Sequence, residues 1–66
     1  MKLRIDRAND SLYLRLDDSE IVESEEAQPG VVLDFDAKER VVGIEILRLS
    51  TRVAAADLQR ISLETA

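Results

Sequence analysis

Regular alternation of apolar and polar residues is the feature of this 66-residue sequence that most constrains its fold. Leucine occupies every second position of residues 11–16, and residues 2–6 and 31–36 show the same period. Successive side chains of a strand point to opposite faces, so a period of two is typical of strands with one buried and one wet face. Residues 41–47 are more apolar. The pattern therefore predicts four antiparallel strands, with residues 41–47 near the sheet centre.

The segment between the second and fourth predicted strands is acidic. Only Ile21 and Val22 are large and apolar in residues 17–26, which indicates a short or edge strand at about residues 20–24. The pair Pro29-Gly30 follows, and it is a strong turn signal because proline presets φ while glycine accepts a positive φ.

Charge decides the register of the first hairpin. Placing Ile5 opposite Leu12 sets Arg4 opposite Tyr13, whereas a shift by two residues sets Arg4 opposite Arg15. Like charges directly opposite each other are destabilising. We therefore predict the first register, with a loop at residues 7–10.

The second hairpin is aligned by its apolar residues. Pairing Leu33 with Ile44 and Phe35 with Val42 keeps opposite residues on one face. It leaves residues 37–40 as the loop and places Asp34 opposite Gly43. Glycine inside a strand usually marks a bulge or a close approach, and here it leaves room for the Asp34 side chain. The same alignment predicts a buried core around three residues, which are Leu14, Leu33 and Ile44.

The period changes after the last strand. Ser50 or Thr51 can serve as a helix N-cap, and Ala54, Leu58 and Ile61 fall on one stripe. A helix at about residues 51–62 is predicted. The expected fold is α+β, a single small domain (residues 1–66) with two layers, formed by a four- or five-stranded antiparallel meander sheet and one C-terminal helix.

Several segments also resemble a family of short prokaryotic proteins that share a domain of unknown function. The resemblance implies a fold and no known activity, and it implies a glycine in the turn where this chain has Glu39. The matching stretches are Asp-x-x-x-Asp-x-Leu-Tyr at residues 6–13, Glu-Ser-Glu-Glu at 23–26, Pro-Gly-Val-Val-Leu-Asp-Phe-Asp at 29–36 and Val-Val-Gly-Ile-Glu-Ile-Leu at 41–47.

Composition argues against most kinds of chemistry. The chain has no cysteine and no histidine, so the usual activated nucleophiles and zinc ligands are missing. A net charge of −5 repels nucleic acid. The first residues lack the apolar run of a signal peptide, and no segment is long enough for a membrane span. We expect a cytoplasmic, noncatalytic protein without a cofactor, a nucleic-acid partner or a membrane.

Three carboxylates are the only candidates for a metal site. Asp34 and Asp36 lie two residues apart on one predicted strand, about 7 Å from each other on the same face. Glu45 on the neighbouring strand could join them around a divalent cation. The simpler interpretation, which we favour, is that Asp36 binds loop amides and that no metal is held.

The outer face offers an interface instead. Tyr13, Arg15, Val32 and Val41 are predicted to lie there, and tyrosine and arginine are enriched at binding hot spots. Alternatively, Tyr13 forms a cross-strand cation–π or stacking pair that only stabilises the hairpin. A short chain without disulfide or metal gains stability by self-association, so we expect a homodimer or larger assembly through this face.

Three functions are compatible with these observations. The leading hypothesis is an interaction or structural protein that acts through its surface. The second is an acidic partner that masks a small basic protein, as in a toxin–antitoxin or regulatory pair. The third and weakest is a small metal-dependent enzyme.

Overall fold

The computed structural model describes residues 1–66 and contains one antiparallel sheet of five strands. The spatial order is β1-β2-β5-β4-β3, so β5 lies at the centre, as predicted. The predicted meander is wrong, because β5 pairs with both β2 and β4 and separates β2 from β3. The strands are β1 (Lys2–Asp6), β2 (Ser11–Arg15), β3 (Glu23–Gln28), β4 (Val31–Phe35) and β5 (Val41–Ile46).

The first hairpin has the predicted register. Arg4 pairs with Tyr13 and Ile5 pairs with Leu12. The Asp6 carboxylate accepts bonds from the Asn9 backbone amide (3.1 Å) and side-chain amide (2.9 Å), which fixes the loop.

The second hairpin matches the prediction up to a bulge. Asp34 pairs with Gly43 as expected, but Phe35 then pairs with Val41 rather than with Val42. A bulge adds one residue to one strand, and alternation alone does not reveal it. In the following loop, Glu39 has a φ of 62°, a left-handed conformation that favours glycine.

β3 is an edge strand, as predicted, but it begins at Glu23 rather than at residue 20 and runs to the Pro29-Gly30 turn. This turn is tight, and Gly30 in it has a φ of 85°. The pairing of β3 with β4 therefore extends as far as the turn. All six residues of β3 are exposed. Ile21 and Val22 precede the strand, although the Val22 amide still donates to the Phe35 carbonyl at 2.9 Å.

The predicted helix at residues 51–62 is wrong. Only two 3₁₀ turns form, Leu49–Thr51 and Ala55–Gln59. Ala54 between them is extended (φ −67°, ψ 145°), and neither turn has a side-chain cap. A helix of this length is marginal unless an apolar stripe packs against something, and Ile61 of the expected stripe is exposed. The chain is an open sheet, without the α layer of an α+β fold.

No helix of the structure combines the length and the hydropathy that crossing a membrane requires.

The apolar face of the sheet is formed by eleven inward side chains, of which only Val42 is buried, with 2% exposure. Leu14, Leu33 and Ile44 lie in one row across the sheet, as predicted, but each is only half-buried. At one end of the face, Leu49 (2% exposed) closes the sheet from the C-terminal segment. The members of the apolar face are Leu3, Ile5, Leu12, Leu14, Leu16, Val31, Leu33, Phe35, Val42, Ile44 and Ile46.

Candidate functional site

Four polar side chains on the outer face form a hydrogen-bonded chain across the sheet, which we call the Tyr13 network. The Tyr13 hydroxyl donates to Asp34 Oδ2 at 2.7 Å, and the Ser24 hydroxyl donates to Asp34 Oδ1 at 2.6 Å. Arg15 Nη1 donates to the Tyr13 hydroxyl oxygen at 3.4 Å. The network therefore links β2 to β4 and β3.

The Tyr13 network exists because of a glycine in the strand it crosses. β5 lies between β2 and β4, and Gly43 pairs with both Arg15 and Asp34. A Cβ atom at Gly43 would overlap the Tyr13 hydroxyl and would lie 2.9 Å from Asp34 Oδ2. Gly43 thus leaves room for the phenol as well as for the aspartate predicted to lie there.

The surroundings of the network raise the pKa values of two of its members, Tyr13 and Arg15. Burial first, and then the hydrogen bond to Asp34, raise the pKa of the Tyr13 phenol. The hydrogen bond with Tyr13 is the main cause that raises the pKa of the Arg15 guanidinium. Arg15 also donates from Nε to the Asp17 carbonyl at 2.6 Å and from Nη2 to the Ser19 carbonyl. Arg15 therefore ties the segment after β2 to the sheet.

The structure places three of the four predicted interface residues together. Tyr13, Arg15 and Val32 lie on the outer face, where Tyr13 and Val32 both pair with Glu45. Val41 is separated from them, because the bulge sets it opposite Phe35, a member of the apolar face. The Tyr13 hydroxyl is engaged within the sheet by its hydrogen bond to Asp34. A role in an interface stays a prediction for all four residues.

Two of the three candidate metal ligands, Asp34 and Asp36, accept hydrogen bonds from separate sets of neighbours. Both oxygens of Asp34 accept bonds in the Tyr13 network. Asp36, 4% exposed, accepts from the backbone amides of Lys38 (2.9 Å) and Arg40 (3.0 Å) and pairs with the Arg40 guanidinium at 2.8 Å. These bonds, with the Arg40 backbone amide as the largest cause, lower the pKa of Asp36. No group of three or more acidic residues is arranged to hold an ion.

A cavity of about 440 Å³ lies on the outer face beside the Tyr13 network. Charged and polar side chains of Arg4, Asp6 and Glu45 contribute to its lining. Asn9, Ser11, Tyr13 and Leu47 complete the lining.

Asp10 has a role that the sequence did not reveal. Its carboxylate accepts from the Ser50 amide (2.9 Å) and the Ser50 hydroxyl (2.7 Å), and its carbonyl accepts from the Leu49 amide at 2.9 Å. Asp10 thus anchors the C-terminal segment to the first hairpin loop. Ser50, expected to cap a helix, is used in this contact across 40 residues of sequence.

The apolar face is only partly covered by the rest of the chain. Leu3 is 47% exposed and Leu16 is 41% exposed, although both point inward from their strands. The C-terminal segment covers the end at Ile5, where Leu49, Val53 and Leu58 help to line a cavity of about 210 Å³. Sequence analysis missed this open face because it expected a helix to cover it.

A rim of carboxylates borders the apolar face on β3. Glu23 pairs with Phe35 and Glu25 pairs with Leu33, so both glutamates share the face of apolar residues. Both are exposed at the sheet edge. Charged residues on an edge strand hinder strand-to-strand aggregation.

Comparison with known proteins gives one match. The sequence profile of the family described as "Protein of unknown function (DUF2283)" matches residues 2–50. The matched range contains all four stretches on which the resemblance was based. No curated protein and no solved structure matches the chain.

Proposed function

The chain belongs to the DUF2283 family, and from its surface we propose that it is a noncatalytic protein that binds another protein chain through the apolar face of its sheet. One observation carries the proposal. Ten of the eleven inward side chains are not buried within the chain: two are exposed and eight are half-buried. Antiparallel sheets commonly have one face packed and one solvated, and a contiguous exposed apolar patch of this kind marks an interaction site.

The polar residues of the molecule support a noncatalytic role. The acidic side chains that could act as ligands or bases accept hydrogen bonds from neighbouring residues, as Asp34 and Asp36 do. General acid–base catalysis by carboxylates needs a pair held in a cleft with separated pKa values. A cytoplasmic location is part of the same proposal.

Cysteine labelling tests whether the apolar face is covered. The chain has no cysteine, so one introduced thiol reports on one site. Leu33 and Val32 are neighbours on β4, both half-buried, with side chains on opposite faces. We expect Leu33→Cys to react with a soluble thiol reagent more slowly than Val32→Cys in extract of the native host, and both to react alike in urea. Equal rates in the native protein would contradict the proposal.

A second function is favoured by β3. Its six residues are exposed and include three glutamates, Glu23, Glu25 and Glu26. This acidic edge is suited to a small basic protein, and masking of such a partner is the second candidate. Titration with a polylysine peptide tests it: binding that weakens with salt and is lost in the triple glutamate-to-glutamine variant is expected, and its absence would exclude the candidate.

A further inference from the structure

We propose that the occupant of the apolar face is a second copy of this chain, packed apolar face to apolar face so that two sheets form a β-sandwich. This inference rests on the proposed function, and it names the protein chain that binds to the apolar face. The dimer would have the two layers that the sequence predicted, with a second sheet in place of the helix.

The chain exposes more surface than a folded monomer of its mass, as expected for a chain with an uncovered apolar face. The accessible surface is 5193 Å², whereas a folded monomer of this mass exposes about 4,200 Å². The excess of roughly 1,000 Å² is comparable to the ~800 Å² that each partner contributes to a standard interface. The excess is shared between the apolar face and the residues after Gln59, where Leu63 is 91% exposed.

The shape of the chain leads to the same conclusion. Its radius of gyration is 12.8 Å and its smallest extent is 20 Å, whereas a compact chain of this length has a radius near 11 Å. A single sheet is thin because it lacks a second layer. Stacked sheets pack about 10 Å apart with interdigitating side chains, and a second copy supplies that layer.

The distribution of residue types selects the apolar face over the outer one. The central row of the apolar face runs Leu3, Leu14, Ile44 and Leu33 across four strands. The corresponding outer row runs Arg4, Tyr13, Glu45 and Val32. An interface core is depleted of charge and its rim is polar, so the leucine-rich row suits the core.

The acidic rim is compatible with a two-fold dimer. With the two-fold axis lying between the two sheets and running along β5, β5 of one copy lies over β5 of the other. Glu23 and Glu25 lie on β3 at the sheet edge, so their carboxylates reach water at the border of the interface. The two neighbouring positions on β4, Leu33 and Val32, then differ completely: the first is in the interface and the second faces solvent.

Sedimentation equilibrium of a matched pair of variants tests the proposal. The wild type and Val32→Glu should sediment at twice 7.4 kDa, and Leu33→Glu should lose the dimer. The midpoint of thermal unfolding of the wild type should rise with protein concentration, because dissociation is then coupled to unfolding. If Leu33→Glu does not fold, Leu3→Glu on the edge strand β1, where the side chain is already 47% exposed, replaces it.

Three results would overturn the inference. One is a wild-type mass of 7.4 kDa at the highest soluble concentration. Another is a dimer that Val32→Glu abolishes and Leu33→Glu retains, which would place the interface on the outer face. The third is an unfolding midpoint that does not depend on concentration. If the purified protein is monomeric while Leu33→Cys is protected in native-host extract, the second copy is excluded and the proposed function stands.

Discussion

At Gly43, the phenol of Tyr13 passes over the backbone of β5 to reach Asp34 on β4. A residue without a side chain is needed there, since a Cβ atom would meet both the hydroxyl and the carboxylate. Sequence reasoning identified Gly43 as a close approach and paired it correctly with Asp34. It did not identify Tyr13 as the second neighbour of Gly43. Tyr13 lies on β2, and the sequence does not show that β2 pairs with β5.

Gly43→Ala should destabilise the protein by about 1 to 2 kcal/mol, because the Tyr13 hydroxyl must leave its charged acceptor. The cost should be smaller in a Tyr13→Phe background, where no hydroxyl has to move. Urea denaturation of the four proteins at one protein concentration gives the coupling energy. Strictly additive effects would show that Gly43 is not required for the hydrogen bond.

Titration of Tyr13 gives a second test at the residue scale. Burial and the bond to Asp34 raise its pKa above the ordinary value of 10.0. The phenol is thus favoured as the neutral form in the folded state, so its contribution to stability is fully present below about pH 10 and is lost as the pH rises through the folded pKa.

Tyr13 is the only tyrosine and the chain has no tryptophan, so phenolate absorbance reports on it directly. We expect Asp34→Asn to lower the pKa of Tyr13, since a negative acceptor becomes neutral. Glu45→Gln is the control, because Glu45 is opposite Tyr13 but does not bond to its hydroxyl. A larger shift in the control than in Asp34→Asn would contradict this assignment.

At the scale of the elements, the presence of the strands could be predicted, whereas the bulge and the exact strand ends could not. Alternation and the avoidance of like charges gave the register of the first hairpin, although that register sets Lys2 opposite Arg15. The bulge at Phe35 and the late start of β3 escaped prediction, because both depend on main-chain hydrogen bonds that residues of almost any type can make. The helix failed for a different reason: of its apolar stripe only Leu58 is half-buried beside Ile5, while Ala54 and Ile61 are exposed.

In the loop of the second hairpin, replacing Glu39 by glycine should stabilise the protein. Glu39 has a φ of 62°, and a left-handed conformation costs a side-chain-bearing residue about 1 kcal/mol or more. The family resemblance implies a glycine at this turn. Glu39→Gly should therefore raise the free energy of unfolding by about 0.5 to 1 kcal/mol, measured by urea denaturation.

Lys38→Gly is the matched control in the same loop. Lys38 does not have a positive φ, so glycine there only adds freedom to the unfolded chain and should destabilise. If both substitutions were equally destabilising, the left-handed conformation of Glu39 would not be the source of strain.

At the scale of the whole molecule, the open apolar face and the net charge act in opposite directions on assembly. The chain carries −5, so two copies repel each other at long range, while burial of the apolar face attracts them at contact. The sequence indicated that a chain of 66 residues without disulfides would gain from a partner. It placed the interface on the outer face, because it expected a helix to cover the other one.

The opposition predicts how salt affects the proposed dimer. The Debye length falls from about 30 Å at 0.01 M to about 10 Å at 0.1 M salt, so added salt screens the repulsion between the two copies and leaves the apolar contact in place. The dissociation constant, measured by sedimentation equilibrium, should therefore decrease as sodium chloride is raised. A Glu23→Gln, Glu25→Gln variant, which carries less negative charge at the rim, should associate more tightly at low salt and respond less to its addition. An assembly that weakens with salt would instead depend on attraction between opposite charges, as expected for contact through the mixed Arg4, Arg15 and Glu45 outer face, and would exclude the apolar face as the interface.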